Sequence, residues 1–235
     1  MATTTRDRLV AAAFELFAQR GYDATTVDEI ATLAGTGRST FFRHFRGKED
    51  VVLPDHEALL GRVAGRLATG TASGMQIALR EAAGIVLEQY LDEGGTARAR
   101  YRLASTVPAI RDREIASVQR YVRLFAQHIH RWLAPESDGP LRAELVAASV
   151  VIAHNHVLRQ WLRGEVDGAD QTRTLLDQSL SLGLSLLRSQ ASSAASTIVI
   201  TGAHPDVDQV LRQVREALTP PASGKIPDAP GIETS

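Results

Sequence analysis

Apolar residues recur at steps of three and four along most of this chain. Leu9, Ala12, Ala13, Leu16 and Phe17 form such a stripe and predict a first amphipathic helix ending near Gly21. The stretch TTVDEIATLAG predicts a second helix. Thr26 can cap it, Glu29 stands three residues on as in a capping box, and Gly35 closes it. A short third helix covers residues 38–45, and residues 48–69 read as a fourth with a bend at Pro54. Glycines bound a fifth, GMQIALREAAGIVLEQYLDEGG, and Pro108 stops a short sixth, ARARYRLAST. In the seventh, Ile115, Val118, Val122, Phe125, Ile129 and Trp132 keep the helical step without a miss. An eighth helix runs over residues 141–163 and a ninth over 171–188.

The pattern then changes. SQASSAAS has a linker's composition, TIVITG is β-branched and strand-like, and HPDVDQVLRQVREAL is amphipathic with Pro205 suited to a first helical turn. The last residues, TPPASGKIPDAPGIETS, hold too few apolar side chains to fold and predict a disordered tail. The expected fold class is all-α, with a C-terminal strand–helix extension over residues 191–218 and a tail over 219–235.

Composition narrows the chemistry. The absence of cysteine excludes a disulfide framework, a thiolate metal site and a cysteine nucleophile. The N-terminal apolar run is interrupted by Glu15 and too short for a signal peptide, and no run is long enough to span a membrane. A cytoplasmic protein without a membrane partner is expected. The net charge of −1 means that any polyanion site must be a local patch.

One such patch exists. GTGRSTFFRHFRGKED carries Arg38, Arg43, Arg46 and Lys48, with no acid between Glu29 and Glu49. Residues 26–45 have the layout of a helix-turn-helix, whose second helix enters the DNA major groove. Such a helix must anchor on one side and offer donors on the other. Phe41, Phe42 and Phe45 take the inward or flanking positions, while Arg38, Ser39 and Arg43 point outward with Thr40 and His44 beside them. Lys48, at the start of the next helix, is positioned to hold a phosphate oxygen with its ammonium and nearby backbone N–H groups.

From Arg6 to Val52 the sequence closely resembles the DNA-binding domain of the TetR family of transcriptional regulators. The carrying segment is AAAFELFAQRGYDATTVDEIATLAGTGRSTFFRHFRGKEDVV. The resemblance implies a homodimer in which each subunit places a three-helix head, residues 1–47, on double-stranded DNA. A helical body over residues 48–190 would then bind a small effector and dimerise. Two departures stand out. Gly37 replaces the family's usual serine at the third helix's cap, at a cost of only a few tenths of a kcal/mol. Phe42 replaces a tyrosine that commonly touches phosphate, which shifts that work to Thr26, Arg38, Arg43 and Lys48.

The histidine pairs His128/His130 and His154/His156 do not suggest a metal site. Residues two apart on a helix point about 200° away from each other, and no metal or cofactor is expected. His154 shares an apolar stripe with Val150, Leu158 and Trp161, and Asn155 aligns with Val151 and Leu162. Buried polar groups need partners, so a neighbouring side chain, the other subunit or a ligand must supply them. The family's dimer bundle uses its last two helices, which favours a structural or interfacial role for His154, Asn155, Leu158 and Trp161. The resemblance places the effector pocket on the fifth to seventh helices, among Tyr90, Tyr101, Arg102, Tyr121, Phe125 and His128. The few fixed charges there suggest an apolar or amphipathic effector. The expected function is a repressor released from a pseudo-palindromic operator. An activator, or a regulator helped onto DNA by its ligand, would use the same parts. An α-helical enzyme would need a convergent catalytic set, which the sequence does not offer, and a pure interaction module would dimerise without affinity for DNA.

Overall fold

The computed structural model describes residues 4–134 and 138–185, and within these residues every regular element is an α-helix. The head comprises α1 (Thr5–Arg20), α2 (Val27–Leu33) and α3 (Arg38–His44). The connecting helix is α4 (Lys48–Val52). The body comprises α5 (His56–Ala68), α6 (Met75–Glu93), α7 (Gly95–Thr106), α8 (Pro108–Leu133), α9 (Gly139–Arg163) and α10 (Ala169–Leu184). The strand expected at TIVITG, the helix after it and the tail lie outside the described residues.

Local chemistry sets the boundaries. The single helix expected over 48–69 is two. Leu53 is extended at φ −77°, ψ 148°, as a residue before proline prefers, and α5 restarts with the Asp55 carboxylate capping Ala58 N–H at 3.1 Å. Pro108 ends one helix and opens the next. It occupies the first position of α8, where its missing N–H costs nothing. α8 packs along α9 and α9 along α10, the latter closely enough that a Cβ on Gly183 would stand 3.3 Å from Ser149.

Two apolar cores result. The body core gathers inward stripes of α5, α6, α8, α9 and α10, including Leu67, Leu79, Leu87, Ile129 and Leu180. The second core joins Leu9, Ala13, Leu16, Phe17, Ile30, Phe41 and Phe45 of the head to Val51 and Val52 of α4. Ala104 of α7 and Ile110 of α8 enter that same core, so the α7–α8 corner is built into the head's packing. The phenylalanines of α3 divide. Phe41 is fully buried and Phe45 nearly so, whereas Phe42 is 45% exposed and turns outward, contrary to the expected anchoring trio. Residues 41 and 45 are one turn apart, and 42 lies about 100° round the helix from 41.

Phe41→Ala should therefore cost about 3–5 kcal/mol of unfolding free energy, and Phe42→Ala less than about 1 kcal/mol, in denaturant titrations of the two variants. Equal losses would contradict this division.

Candidate nucleic-acid interface and effector cavity

The α2–α3 unit is locked by local hydrogen bonds. Thr26 Oγ1 accepts from Glu29 N–H at 3.3 Å, while Glu29 Oε2 accepts from the Thr26 backbone N–H and hydroxyl, each at 2.8 Å. These bonds, with Arg20 beside it, hold the Glu29 carboxyl below its usual range. After α2, Gly35 adopts φ +66°, and Thr36 N–H reaches back to Ala31 O at 2.9 Å while Gly35 N–H reaches Thr32 O at 3.0 Å. That is a Schellman ending, which needs a residue free of a Cβ at the left-handed position. The tight turn delivers Gly37 as the cap of α3, with no side-chain bond there.

The outer flank of α3 is cationic and open. Arg38, Ser39, Phe42, Arg43 and His44 are exposed, and Thr40 is half-buried. The Arg38 guanidinium lies 5.1 Å from the Phe42 ring centroid and pairs with Asp28 at 2.7 Å. Both partners of that pair are more than half exposed, so it is worth at most about 1 kcal/mol and yields readily to a stronger anion. Arg43 contacts Thr40 Oγ1 at 3.3 Å. Thr26 is exposed, but its hydroxyl already serves the capping box.

Lys48 has a different role from the one expected. Its Nζ donates to the carbonyls of Tyr22 at 2.7 Å, Thr25 at 2.9 Å and Asp23 at 3.4 Å, and sits 4.3 Å from the Tyr22 ring centroid. An ammonium has three N–H donors, and all are committed to the α1–α2 loop. Lys48 fastens α4 to the head; it has no free donor for phosphate.

Below the head, five helices of the body surround a cavity of about 170 Å³. Tyr90, Tyr101, Tyr121 and Phe125 line it, whereas Arg102 and His128 do not. Arg102 is exposed. His128 is buried elsewhere, beside Trp132, with its Nδ1 accepting from the Arg131 guanidinium at 2.7 Å. Burial, and then Arg131, push its pKa down. The buried arginine of the cavity is Arg100, only 3% exposed, with Ala97 and Ala104 on the same face of α7; Arg159, exposed, also borders the cavity. The placement of Arg100, three and four residues from buried alanines, was the sequence signal for it.

His154, Asn155 and Leu158 of α9 also line the cavity. Burial corrects the expected place of His154, Leu158 and Trp161 at a dimer interface. His154, Leu158 and Trp161 are each 7% exposed or less in a single chain and have little area to give a partner, and Trp161 is covered by the Arg98 guanidinium at 4.9 Å. The opposite face of α9 is the apolar one left open, with Leu141, Leu145 and Ile152 more than half exposed, as is Leu182 on α10.

Two histidines missed or misread in the sequence carry buried, unpartnered Nε2 atoms: His56 and His154. His56 Nδ1 lies 3.3 Å from Tyr121 Oη, and His154 Nδ1 lies 3.2 Å from Asn155 Oδ1. Burial pushes both pKa values down to about 4 and keeps both rings neutral at pH 7. Burial also raises Glu114 on the cavity wall, against the lowering effect of Arg100, and pushes Tyr90 up to about 12.

Arg100 also reaches out of the cavity. Its Nε donates to Val52 O at 2.5 Å, the last turn of α4, and its Nη1 pairs with Glu93 at 2.5 Å. Arg113 of α8 pairs with Glu49 at 3.1 Å and with Asp50. The cavity wall and α4 are thus joined by direct polar contacts.

Residues 9–53 match the model of the bacterial regulatory proteins of the tetR family. The chain is similar to the HTH-type transcriptional regulator TcmR of Streptomyces glaucescens, at 30% identity over 171 residues, 69% of this chain and 76% of that protein. Its fold is similar to that of a TetR-family transcriptional regulator from Syntrophomonas wolfei, with a TM-score of 0.59 and 16% identity over 84% of this chain and 98% of the other. The fatty acid degradation regulator FadR from Bacillus halodurans gives a TM-score of 0.56 and 18% identity over 80% and 98%.

Two outcomes follow. Lys48→Met should lower the unfolding free energy by about 1–3 kcal/mol, by stranding loop carbonyls, and leave the salt dependence of any duplex binding unchanged. Denaturant titration and salt titration read the two effects separately. For His154, the unfolded chain takes up a proton near pH 6.5 that the folded chain refuses until about pH 4. Stability is therefore full above pH 6.5 and falls as pH drops through that window, by on the order of 3 kcal/mol at most. His154→Gln should flatten the slope of unfolding free energy against pH between those limits.

Proposed function

The chain belongs to the tetR family of bacterial regulatory proteins and is a DNA-binding transcriptional regulator, not an enzyme; from that premise we propose that it is a cytoplasmic homodimeric repressor released from its operator by a small effector. The observation that carries the DNA-binding part is the exposed cationic outer flank of α3, whose own residues include no acid, held to the head by buried Phe41 and Phe45. In this reading α3 enters the major groove. Arg38 leaves Asp28 for a base edge or phosphate, Arg43, Ser39, Thr40 and His44 supply further donors, and exposed Phe42 offers an apolar face to a thymine methyl group. Thr26 stands at the α2 end facing the backbone, and its contribution is to aim α2 and α3 together.

The partner subunit is a second copy of this chain. Leu141, Leu145 and Ile152 follow one face of α9, and Leu182 extends the patch on α10. An exposed apolar face of that extent is unusual on a monomer and suits a two-fold helical interface. Two heads would then address half-sites about 34–36 Å apart.

The effector site is the cavity beneath Tyr121 and Phe125. A ligand there touches elements tied directly to α4: Arg100 by its bond to Val52 O, and His56 at the first turn of α5. It acts as an inducer when it binds the DNA-incompetent arrangement better, and a difference of about 1–3 kcal/mol suffices.

Anisotropy titrations of a duplex oligonucleotide at increasing salt test this reading. Affinity should fall with a log–log slope of about 0.9 per neutralised phosphate, and Arg38→Ala and Arg43→Ala should each weaken binding by about 1–3 kcal/mol. Absence of salt-dependent duplex binding by the folded protein would end it.

A further inference from the structure

The hydrogen-bonding inventory of the cavity is lopsided. His154 sits on its α9 wall, 6% exposed, with Nε2 unpartnered. Its other nitrogen faces Asn155 Oδ1 at 3.2 Å. An amide oxygen only accepts, so Nδ1 carries the proton and Nε2 presents a bare lone pair. A buried acceptor without a donor is an unfavourable arrangement that a ligand can relieve.

Three charged groups border the cavity; Arg159 is exposed to solvent, and the two more buried ones, Arg100 and Glu114, favour an uncharged guest. Arg100 already pairs with Glu93 and bonds Val52 O, so its charge is largely spoken for. Glu114 on the same wall opposes an anion when ionised. The remaining lining near His154 is apolar: Val150, Val151, Leu158, Phe125 and Val86. Size sets a further limit. A dry cavity of about 150 Å³ accommodates benzene, so the 170 Å³ available here suits one or two fused rings or an aliphatic of similar bulk.

We propose that this cavity selects an uncharged, mainly apolar molecule of one to two rings that donates a single O–H or N–H hydrogen bond to His154 Nε2. The proposal rests on the reading of the cavity as the effector site and adds the chemical class of effector. Asn155 is the positioning residue, since its amide oxygen fixes which imidazole nitrogen accepts.

Indole and benzofuran test it, because they share a shape and differ in having or lacking the donor. Calorimetric titration of the full chain should show indole binding about tenfold more tightly than benzofuran, with benzoate not bound. His154→Leu should bring the indole-to-benzofuran ratio close to one while the variant keeps its helical signal. Asn155→Asp provides a second reading. A carboxylate on Nδ1–H favours the imidazolium, turns Nε2 into a donor, and should admit benzoate while reducing indole affinity. The proposal falls if benzofuran or benzoate matches indole in the unmodified protein, if none of the three binds, or if His154→Leu preserves the ratio. DNA release by indole is read separately in the duplex titration. Indole bound with the stated preference but without effect on DNA would leave the donor selectivity standing and count against the cavity as the effector site.

Discussion

The guanidinium of Arg100 is the constraint on which the molecule's two halves depend. It is almost wholly buried, with its guanidinium 5.9 Å from the Tyr90 ring centroid. Its position is tolerable because Nε is satisfied by Val52 O and Nη1 by Glu93, one partner on α4 and one on α6. Breaking one side of a buried pair of this kind costs about 3–5 kcal/mol, because the remaining charge is stranded. Moving the head away breaks the Val52 bond and leaves the Arg100–Glu93 pair within the body, so the cost is that of a stranded buried donor, about 1–3 kcal/mol. The same side chain forms part of the cavity wall, so the bond that holds α4 in place borders the space a ligand would fill.

Pro54 gives this arrangement its short lever. Had the helix run unbroken from Lys48 to Thr69, head and body would share a rigid rod. Instead α4 ends at Val52, Leu53 is extended, and α5 begins anew with its own cap. Five residues remain as a strut, and their side chains belong to the head: Val51 and Val52 are fully buried in its core, and Lys48 holds the α1–α2 loop. The α7–α8 corner meets this strut from the body side through Ile110 and Arg113.

How much of this was legible in the sequence depended on the range of the interaction. The Thr26–Glu29 capping box, Gly35 and the extent of α1 were readable because each is decided within a few residues. The three phenylalanines of α3 were not resolved. Residues 41, 42 and 45 fit an apolar face in more than one rotation, and only packing against α1 and α4 chooses Phe41 and Phe45. Lys48 was misassigned because its carbonyl partners lie 23 to 26 residues back, beyond any local pattern. His154 was recognised as an inward polar residue in need of a partner, and the pattern could not say that a cavity, not a second chain, lay opposite. The stripe that is exposed, Leu141, Leu145 and Ile152, is about 180–220° round the same helix from His154. An α9 apolar on two faces carries two roles, and reading one stripe hid the other. Arg102 was named for the pocket, although Arg100 shared the alanine face.

The polar ties also restrict how the head can move. Because α4 is packed into the head core and pinned by Lys48, displacing it carries the whole head rather than peeling one helix away. The pivot must then lie at residues 53–55, where the polar contacts are Arg100 to Val52 O, Arg113 to Glu49 and Asp50, and Arg6 to Asp55, beside the apolar packing of Ala104 and Ile110 in the head core. These differ in resistance. Arg113 is more than a third exposed, so its pairs are screened and worth about 1 kcal/mol or less, whereas Arg100 is buried and costly to strand. A rotation that keeps the Arg100–Val52 bond as its hinge pin and releases Arg113 is therefore the cheapest path between two head positions. With Ala104 and Ile110 kept packed in the head core, its polar cost falls within the coupling of about 1–3 kcal/mol that a ligand needs to supply. A path that also breaks the Arg100–Val52 bond adds about 1–3 kcal/mol for the stranded donor.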